Sequence, residues 1–233
     1  MPLDWRSLSN VILFSFLAAA LAGAGALSSV RHHEMPLRWI GWANALAAGL
    51  MLGVAYVLGE VGLSDRVVAT ALGSLVGIAF VYATHVIGGF GDTPRPRVQA
   101  LHSASEGVAI GAAMAVSLGL GIFTVIALAA HNIAEGAVLC AGLTRGKFRL
   151  PHAAGVAAAT NVGQVVMAAV TFILVSFFPS LLPWSLGFAA GALLYLVMVE
   201  LLPDSYHEAG ETSIALVTSV SMGLVVLLNN SFR

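Results

Sequence analysis

The chain has 233 residues, of which 59% are hydrophobic and only 9% are charged, and its mean hydropathy is +0.94. Because soluble domains carry about 25% charged residues, this composition excludes a water-soluble globular protein and predicts a membrane protein. Ten Lys and Arg against eleven Asp and Glu leave a net charge of -1, which excludes a basic nucleic-acid-binding surface. With a single cysteine, Cys140, any metal site must be built from His, carboxylate and amide ligands.

Long apolar runs predict an all-α polytopic membrane protein, a bundle of about eight transmembrane helices in one domain over residues 1–233. Each run is close to the roughly 20 residues that cross a bilayer. The first run follows Asp4 and Arg6 rather than a basic segment and exceeds the roughly 7–15 residues of a signal peptide, so we expect a retained helix. The predicted helices lie near 10–30, 39–59, 67–90, 98–119, 122–143, 152–178, 182–203 and 212–230.

Positive charge predicts the orientation of these helices. Cytoplasmic connections of membrane proteins are enriched in Lys and Arg. Seven such residues fall in the first, third and fifth connections and three on the opposite face, which predicts that both termini lie outside the cytoplasm, in a multi-pass cell (plasma) membrane protein. The seven are Arg31, Arg38, Arg95, Arg97, Arg145, Lys147 and Arg149, and the three are Arg6, Arg66 and Arg233.

Two His/Glu pairs lie at bilayer depth, where ionisable side chains are costly and usually functional. His102 with Glu106, and His131 with Glu135, share the pattern H-x-x-x-E-G, whose spacing places both side chains on one helical face. A tight turn at 119–121 makes the two helices antiparallel neighbours, so the pairs are expected to converge on one divalent cation. Mixed nitrogen and oxygen ligands suit zinc better than calcium or magnesium. For a single His/Glu pair, the alternative to metal binding is a hydrogen bond that holds two helices together.

Other ionisable residues gather toward the predicted cytoplasmic face. Glu200 lies near the end of the seventh helix, either on the ion pathway or reaching toward the interface. Asp204, His207 and Glu208 follow in the next connection, where they would receive a leaving cation or serve as ordinary solvated residues.

These motifs resemble the ZIP (Zrt-, Irt-like protein) family of divalent-metal transporters. The segment 131–136, HNIAEG, is close to the family's fifth-helix motif, while 102–107, HSASEG, is a looser version of its fourth-helix motif. The segments 45–53 and 190–203 are also similar to the family. The resemblance implies import of a divalent cation by alternating access, with the primary metal site on His102, Glu106, His131 and Glu135.

The resemblance also locates a second, adjacent site, for which this chain has weaker ligands. Its positions correspond to Ser103, Asn132 and Asn161, and Gln164 shares the face of Asn161. Loss of a carboxylate weakens such a site, so these four residues are expected to form a weak second site or to line the path. Two prolines of the family pattern are replaced by Ser105 and Ala134, and we expect the Ser105 hydroxyl to bond the carbonyl of Leu101.

Zinc is the favoured substrate, with iron, manganese, cobalt and cadmium as alternatives, and a homodimer is compatible with these features.

A rival interpretation is an intramembrane zinc-dependent hydrolase, since His and Glu can activate a metal-bound water. Against it, the chain lacks H-E-x-x-H. A b-type haem protein with His102 and His131 as axial ligands is disfavoured by the neighbouring glutamates. We therefore predict a transporter and not an enzyme.

Overall fold

The computed structural model describes residues 5–31, 37–88, 96–145 and 148–231, and within these ranges the chain forms helices and no strand. Of the charges used to predict orientation, Arg95, Lys147 and Arg233 lie outside the described residues. The α-helices are α1 (Trp5–Arg31), α2 (Leu37–Asp65), α3 (Val67–Gly88), α4 (Pro96–Val116), α5 (Leu118–Arg145), α6 (Leu150–Thr160), α7 (Val162–Phe177), α8 (Leu182–Leu196), α9 (Leu202–Ala209) and α10 (Glu211–Ser231). A short 3₁₀ turn (Pro179–Leu181) precedes α8, and a π-helical segment (Val197–Leu201) joins α8 to α9.

Seven helical segments in the described ranges are long and apolar enough to cross a membrane. Two of them are composite, because α6 with α7 and α8 with α9 each form one continuous crossing. The remaining long helix, α4, is made more polar by His102, Ser103, Ser105 and Glu106. The expected all-α polytopic architecture of about eight helices is therefore confirmed.

The turns that follow α2 and α4 differ in position from the expected ones. α2 continues to Asp65, so Glu60 lies inside the helix and the turn to α3 occurs at Arg66. The turn between α4 and α5 lies at Ser117 rather than at the glycines that follow. There the Ser117 hydroxyl accepts a hydrogen bond from the backbone N–H of Leu120 at 3.1 Å, which caps α5 and explains the earlier start.

The sixth crossing, expected as one helix, is interrupted at Asn161. The backbone N–H of Gln164 bonds the carbonyl of Asn161 at 3.1 Å instead of continuing the α-helical ladder. The Ser103 hydroxyl of α4 donates to the carbonyl of Thr160 at 2.8 Å, and this carbonyl would accept from Gln164 in a regular helix. A side chain from a neighbouring helix thus stabilises the break.

The seventh crossing contains the π segment with Glu200 in it, where the sequence predicted a regular helix. Pro203 has no backbone N–H, so it cannot bond the carbonyl of Val199 four residues earlier. The extra residue per turn of a π segment is a common way to absorb such a gap, and these segments occur often at functional sites. The helix continues to Ala209 and ends at Gly210, whose φ of 81° favours glycine.

The helices sort into two bundles by their contacts. The first, which we call the α4–α5 bundle, contains α1, α4, α5, α6 and α7, and the second, the α2–α8 bundle, contains α2, α3, α8, α9 and α10. Glycines allow close packing within each: a Cβ at Gly136 would collide with the carbonyl of Ala22, and one at Gly187 with that of Thr70. The bundles meet where α2 contacts α5 and where α4 contacts α3 and α8.

Candidate metal centre

Three of the four predicted primary ligands form a buried group inside the α4–α5 bundle, which we call the central cluster. The Nε2 atom of His131 lies 3.3 Å from Oε1 of Glu106 and 3.7 Å from Oε1 of Glu135. Glu106 is only 1% exposed, so its carboxylate is removed from solvent. Such burial is unfavourable unless a positive charge, a proton or a metal ion compensates it.

The α-helical repeat and the turn at Ser117 bring the residues of this cluster together. His131 and Glu135 are one helical turn apart on α5, and Glu106 reaches them from α4, which packs beside α5. Oε2 of Glu106 and Nδ1 of His131 have no hydrogen-bond partner among the described residues. The cluster therefore has ligand atoms to spare for a bound cation.

The fourth predicted ligand, His102, points to a different group, which we call the inter-bundle cluster. Its Nδ1 atom lies 3.4 Å from Oε2 of Glu200, and Nε2 of His85 lies 3.1 Å from Oε1 of the same carboxylate. The two imidazole rings stack with centroids 4.9 Å apart. Ligand atoms of all three residues lie within 4.8 Å of one another. His102 belongs to α4 and its two partners belong to the α2–α8 bundle, so this cluster bridges the two bundles.

Each of the two histidines contacts Glu200 through one ring nitrogen and is oriented by a contact at the other. Nδ1 of His85 lies 2.9 Å from the carbonyl of Val81, and Nε2 of His102 lies 3.1 Å from the Thr84 hydroxyl, which itself donates to the Val81 carbonyl at 2.7 Å. A neutral imidazole that donates at these atoms presents a lone pair to the carboxylate, whereas a protonated imidazole donates an N–H to it. Two nitrogens and two oxygens then converge, and a proton or a metal cation is required between them.

His85 was missed by the sequence analysis, although a signal for it was present. It is an ionisable residue within the apolar span of α3, and it is buried in the structure. Ionisable residues within a span are functional candidates by default. No H-x-x-x-E pattern surrounds it, and its partners His102 and Glu200 come from other helices, so the sequence spacing could not reveal the cluster.

The residues predicted for a weak second site each make at least one hydrogen bond, either between helices or within one helix. Besides its bond to Thr160, Ser103 donates to the carbonyl of Ala100 at 3.0 Å. Asn132 donates from Nδ2 both to the carbonyl of Ala18 at 3.0 Å and to Oε1 of Gln164 at 2.9 Å. Nδ2 of Asn161 bonds the carbonyl of Ala157 at 3.3 Å. Their assignment as metal ligands stays a prediction.

The residues predicted to receive a leaving ion lie on α9, directly after the π segment. Asp204 and His207 are exposed, and Glu208 is half-buried against α2. Asp204 precedes Glu208 by four residues in α9, so these two carboxylates share one side of that helix, which directly follows the segment that contains Glu200. The helix carries acidic groups from the inter-bundle cluster to the end of the bundle.

Ser105 bonds a different carbonyl from the one expected. Its hydroxyl donates to the carbonyl of His102 at 2.7 Å, three residues earlier, and not to that of Leu101. Serine in a helix can reach either the third or the fourth preceding carbonyl. The bond found here supports the turn that carries His102 and Glu106.

Comparison with known proteins identifies a family and two relatives that this chain resembles. The model of the family described as ZIP Zinc transporter matches residues 99–228, more than half of the chain. A candidate zinc transporter of Arabidopsis thaliana is 29% identical over 247 residues, which cover 97% of this chain and 39% of that protein. The zinc transporter GufA of Myxococcus xanthus is 32% identical over 129 residues, 55% of this chain and 50% of GufA. The chain thus spans half or less of these relatives' lengths, and it belongs to the ZIP zinc transporter family of multi-pass membrane proteins.

Proposed function

We propose that this protein transports a divalent transition-metal cation across the membrane, with zinc as the favoured substrate. The observation that carries the proposal is the pair of His/Glu clusters inside the helical bundle, joined by α4. Glu106 belongs to the central cluster, and His102, one turn earlier on the same helix, belongs to the inter-bundle cluster. An ion can therefore pass between two ligand sets that are one helical turn apart along α4, without losing all protein ligands at once.

The ligand chemistry supports a borderline first-row ion. Each cluster offers imidazole nitrogen and carboxylate oxygen, a combination that suits zinc and leaves calcium and magnesium with too few oxygens. Iron, manganese, cobalt and cadmium share enough of this preference to compete. Two glutamates in the central cluster balance the charge of one divalent ion, which offsets the cost of holding it in a low-dielectric interior.

The proposed pathway leads inward. The central cluster would hold the ion first, then the inter-bundle cluster, and then Asp204, His207 and Glu208 on α9 would release it. The distribution of Lys and Arg supports a cytoplasmic position for α9 and an external position for both termini, in a cell membrane. A homodimer is part of this proposal, as is a metal-ligand role for each of His102, Glu106, His131 and Glu135, the first in the inter-bundle cluster and the other three in the central cluster.

Alternating access would come from movement of the α4–α5 bundle against the α2–α8 bundle. The contact between His102 and Glu200 joins the two, so such a movement must break and re-form it. A cation held there would be released as the ligands separate. The hydrolase interpretation is not favoured, because the family to which the chain belongs consists of transporters.

The proposal is tested by metal uptake into proteoliposomes that contain a zinc-responsive dye. We expect the parent protein to admit zinc, and we expect Glu106→Ala and His131→Ala to lose uptake while remaining folded. Matched controls are Glu211→Ala and His152→Ala, which alter exposed residues outside both clusters. If the parent admits none of the candidate ions although purified protein binds zinc, the transport proposal fails.

A further inference from the structure

An apolar groove opens on the membrane-facing side of the protein, along the junction between the two bundles. One wall comes from the α2–α8 bundle, with Val76 and Trp184, and the other from the α4–α5 bundle, with Met167 and Leu174. The cavity has a volume of about 300 Å³. Val108 of α4 also lines it and is buried.

The groove lies within segments that cross the membrane. Val76 is 53% exposed, Leu174 45% and Trp184 40%, so the walls are open to the surroundings of the bundle. Trp184 stands at the start of α8, beside the short turn between α7 and α8, a position typical of tryptophan at a membrane interface. The groove therefore extends from one interface into the hydrocarbon region, beside buried Val108.

Physical chemistry limits what can occupy this space. Water needs two to four polar partners in a cavity, and the walls are mainly apolar. An empty apolar space of this size would forfeit dispersion contacts along both walls. Engineered apolar cavities of roughly half this volume stay dry and bind hydrocarbon ligands. In a bilayer, acyl chains are the hydrocarbon at hand.

We propose that the groove is a binding site for one acyl chain of a bilayer phospholipid, which lies between the two bundles. This inference requires only that the protein is embedded in a membrane, and it stands whether or not the protein transports metal. Because the two walls belong to different bundles, the fit of the chain depends on the separation of those bundles. The occupant is continuous with the surrounding bilayer, so it needs no separate entrance.

Photolabelling tests the proposal directly. The full chain is reconstituted in phosphatidylcholine vesicles with a small fraction of phosphatidylcholine that carries a diazirine in its acyl chain, irradiated, and mapped by mass spectrometry. We expect adducts to concentrate on the groove-lining stretches of both walls, residues 73–76, 167–174 and 181–188, relative to the exposed apolar face of α1. Adducts spread evenly over all membrane-facing helices would overturn the proposal. Groove residues that stay unlabelled while the other membrane-facing helices are labelled would overturn it in favour of a second copy of the chain that covers the groove.

A matched pair of variants separates the groove from its surroundings. Val76→Trp fills the groove, whereas Leu75→Trp changes an adjacent residue that is also exposed but does not line it. Because the indole of a tryptophan at position 76 would occupy the space of the bound chain, Val76→Trp should lower groove labelling severalfold. Leu75→Trp should leave it unchanged. If Val76→Trp fails to fold, Leu174→Trp with Val166→Trp as its control makes the same test from the opposite wall.

Discussion

His102 and Glu200 lie on different helix bundles, yet Nδ1 of His102 and Oε2 of Glu200 are only 3.4 Å apart. The same carboxylate contacts His85 through its other oxygen, so Glu200 joins an imidazole from each bundle. This relationship gives the inter-bundle cluster two properties at once. It can hold a cation, and it changes whenever the bundles move relative to each other.

Glu200→Gln should reduce zinc uptake strongly while preserving the fold. Glutamine keeps the size of the side chain but removes the negative charge and one of the two ligand oxygens. Loss of one charged ligand should lower flux by about tenfold or more, equivalent to about 1.4 kcal/mol or more in the stability of the bound ion. The measurement is initial uptake into dye-loaded proteoliposomes, with Glu211→Gln as the control. Parental flux in Glu200→Gln would remove the inter-bundle cluster from the pathway.

His85 and Glu200 should act as one unit in zinc binding. Removing either residue disrupts the same zinc site. The double variant His85→Ala/Glu200→Ala should therefore bind zinc only slightly more weakly than either single variant. Such non-additivity is the signature of groups that share a partner. Titration calorimetry of the purified protein measures it. Strictly additive losses of binding free energy would show that the two residues do not share an ion.

Zinc binding should release protons and weaken as the pH falls. Imidazole must be neutral to coordinate a metal, and a carboxylate that holds a proton must lose it. Protons and zinc therefore compete, so affinity is lower in acid and rises as the competing protons are lost. Proton release is read in weakly buffered solution with a pH dye on addition of zinc. Binding without proton release, together with an affinity that does not change with pH, would contradict this expectation.

Ser103→Ala should destabilise the protein. The substitution removes the hydrogen bond to the carbonyl of Thr160 at the break between α6 and α7. In a membrane interior we expect a cost of about 1 kcal/mol, since the freed carbonyl has no water available. Thermal unfolding in detergent checks this, with Ser64→Ala as the control because Ser64 is exposed and bonds only within its own helix. Equal unfolding temperatures for Ser103→Ala and Ser64→Ala would refute it.

Gly136→Ala should impair folding where Gly223→Ala does not. A methyl group at position 136 would collide with the Ala22 carbonyl of α1, whereas no neighbouring atom lies near a Cβ at position 223. Overpacking of this kind costs about 1–3 kcal/mol, and more when a backbone atom is the obstacle. The fraction of monodisperse protein after extraction and its unfolding temperature measure the effect. Identical behaviour of the two variants would mean that α1 and α5 pack less closely.

The part of the centre predictable from sequence is the part encoded by local spacing. His131 and Glu135 share a face because they are four residues apart, and a short connection made α4 the neighbour of α5, so Glu106 was expected nearby. The ring of His102 could not be placed in this way. Its direction depends on Thr84 and His85 of α3 and on Glu200 of the π segment, and no local spacing relates these residues to His102.

For the helices too, features set by the local sequence could be predicted, whereas features set by contacts between helices could not. Apolar run length predicted the crossings, because hydrophobic thickness fixes the number of residues needed. The break at Asn161 depends on a hydroxyl of Ser103 from another helix, and the π segment depends on the missing N–H of Pro203. The hydrophobicity of a segment does not indicate which of its backbone carbonyls will accept a hydrogen bond from a neighbouring helix.

Anomalous scattering from crystals soaked in zinc is the measurement that tests the central claim most directly, because it locates the ion. The account predicts one peak among Glu106, His131 and Glu135 and another among His85, His102 and Glu200, with the second lost in Glu200→Gln. Zinc bound only at the protein surface, with neither cluster occupied at saturating metal, would contradict a pathway through these residues.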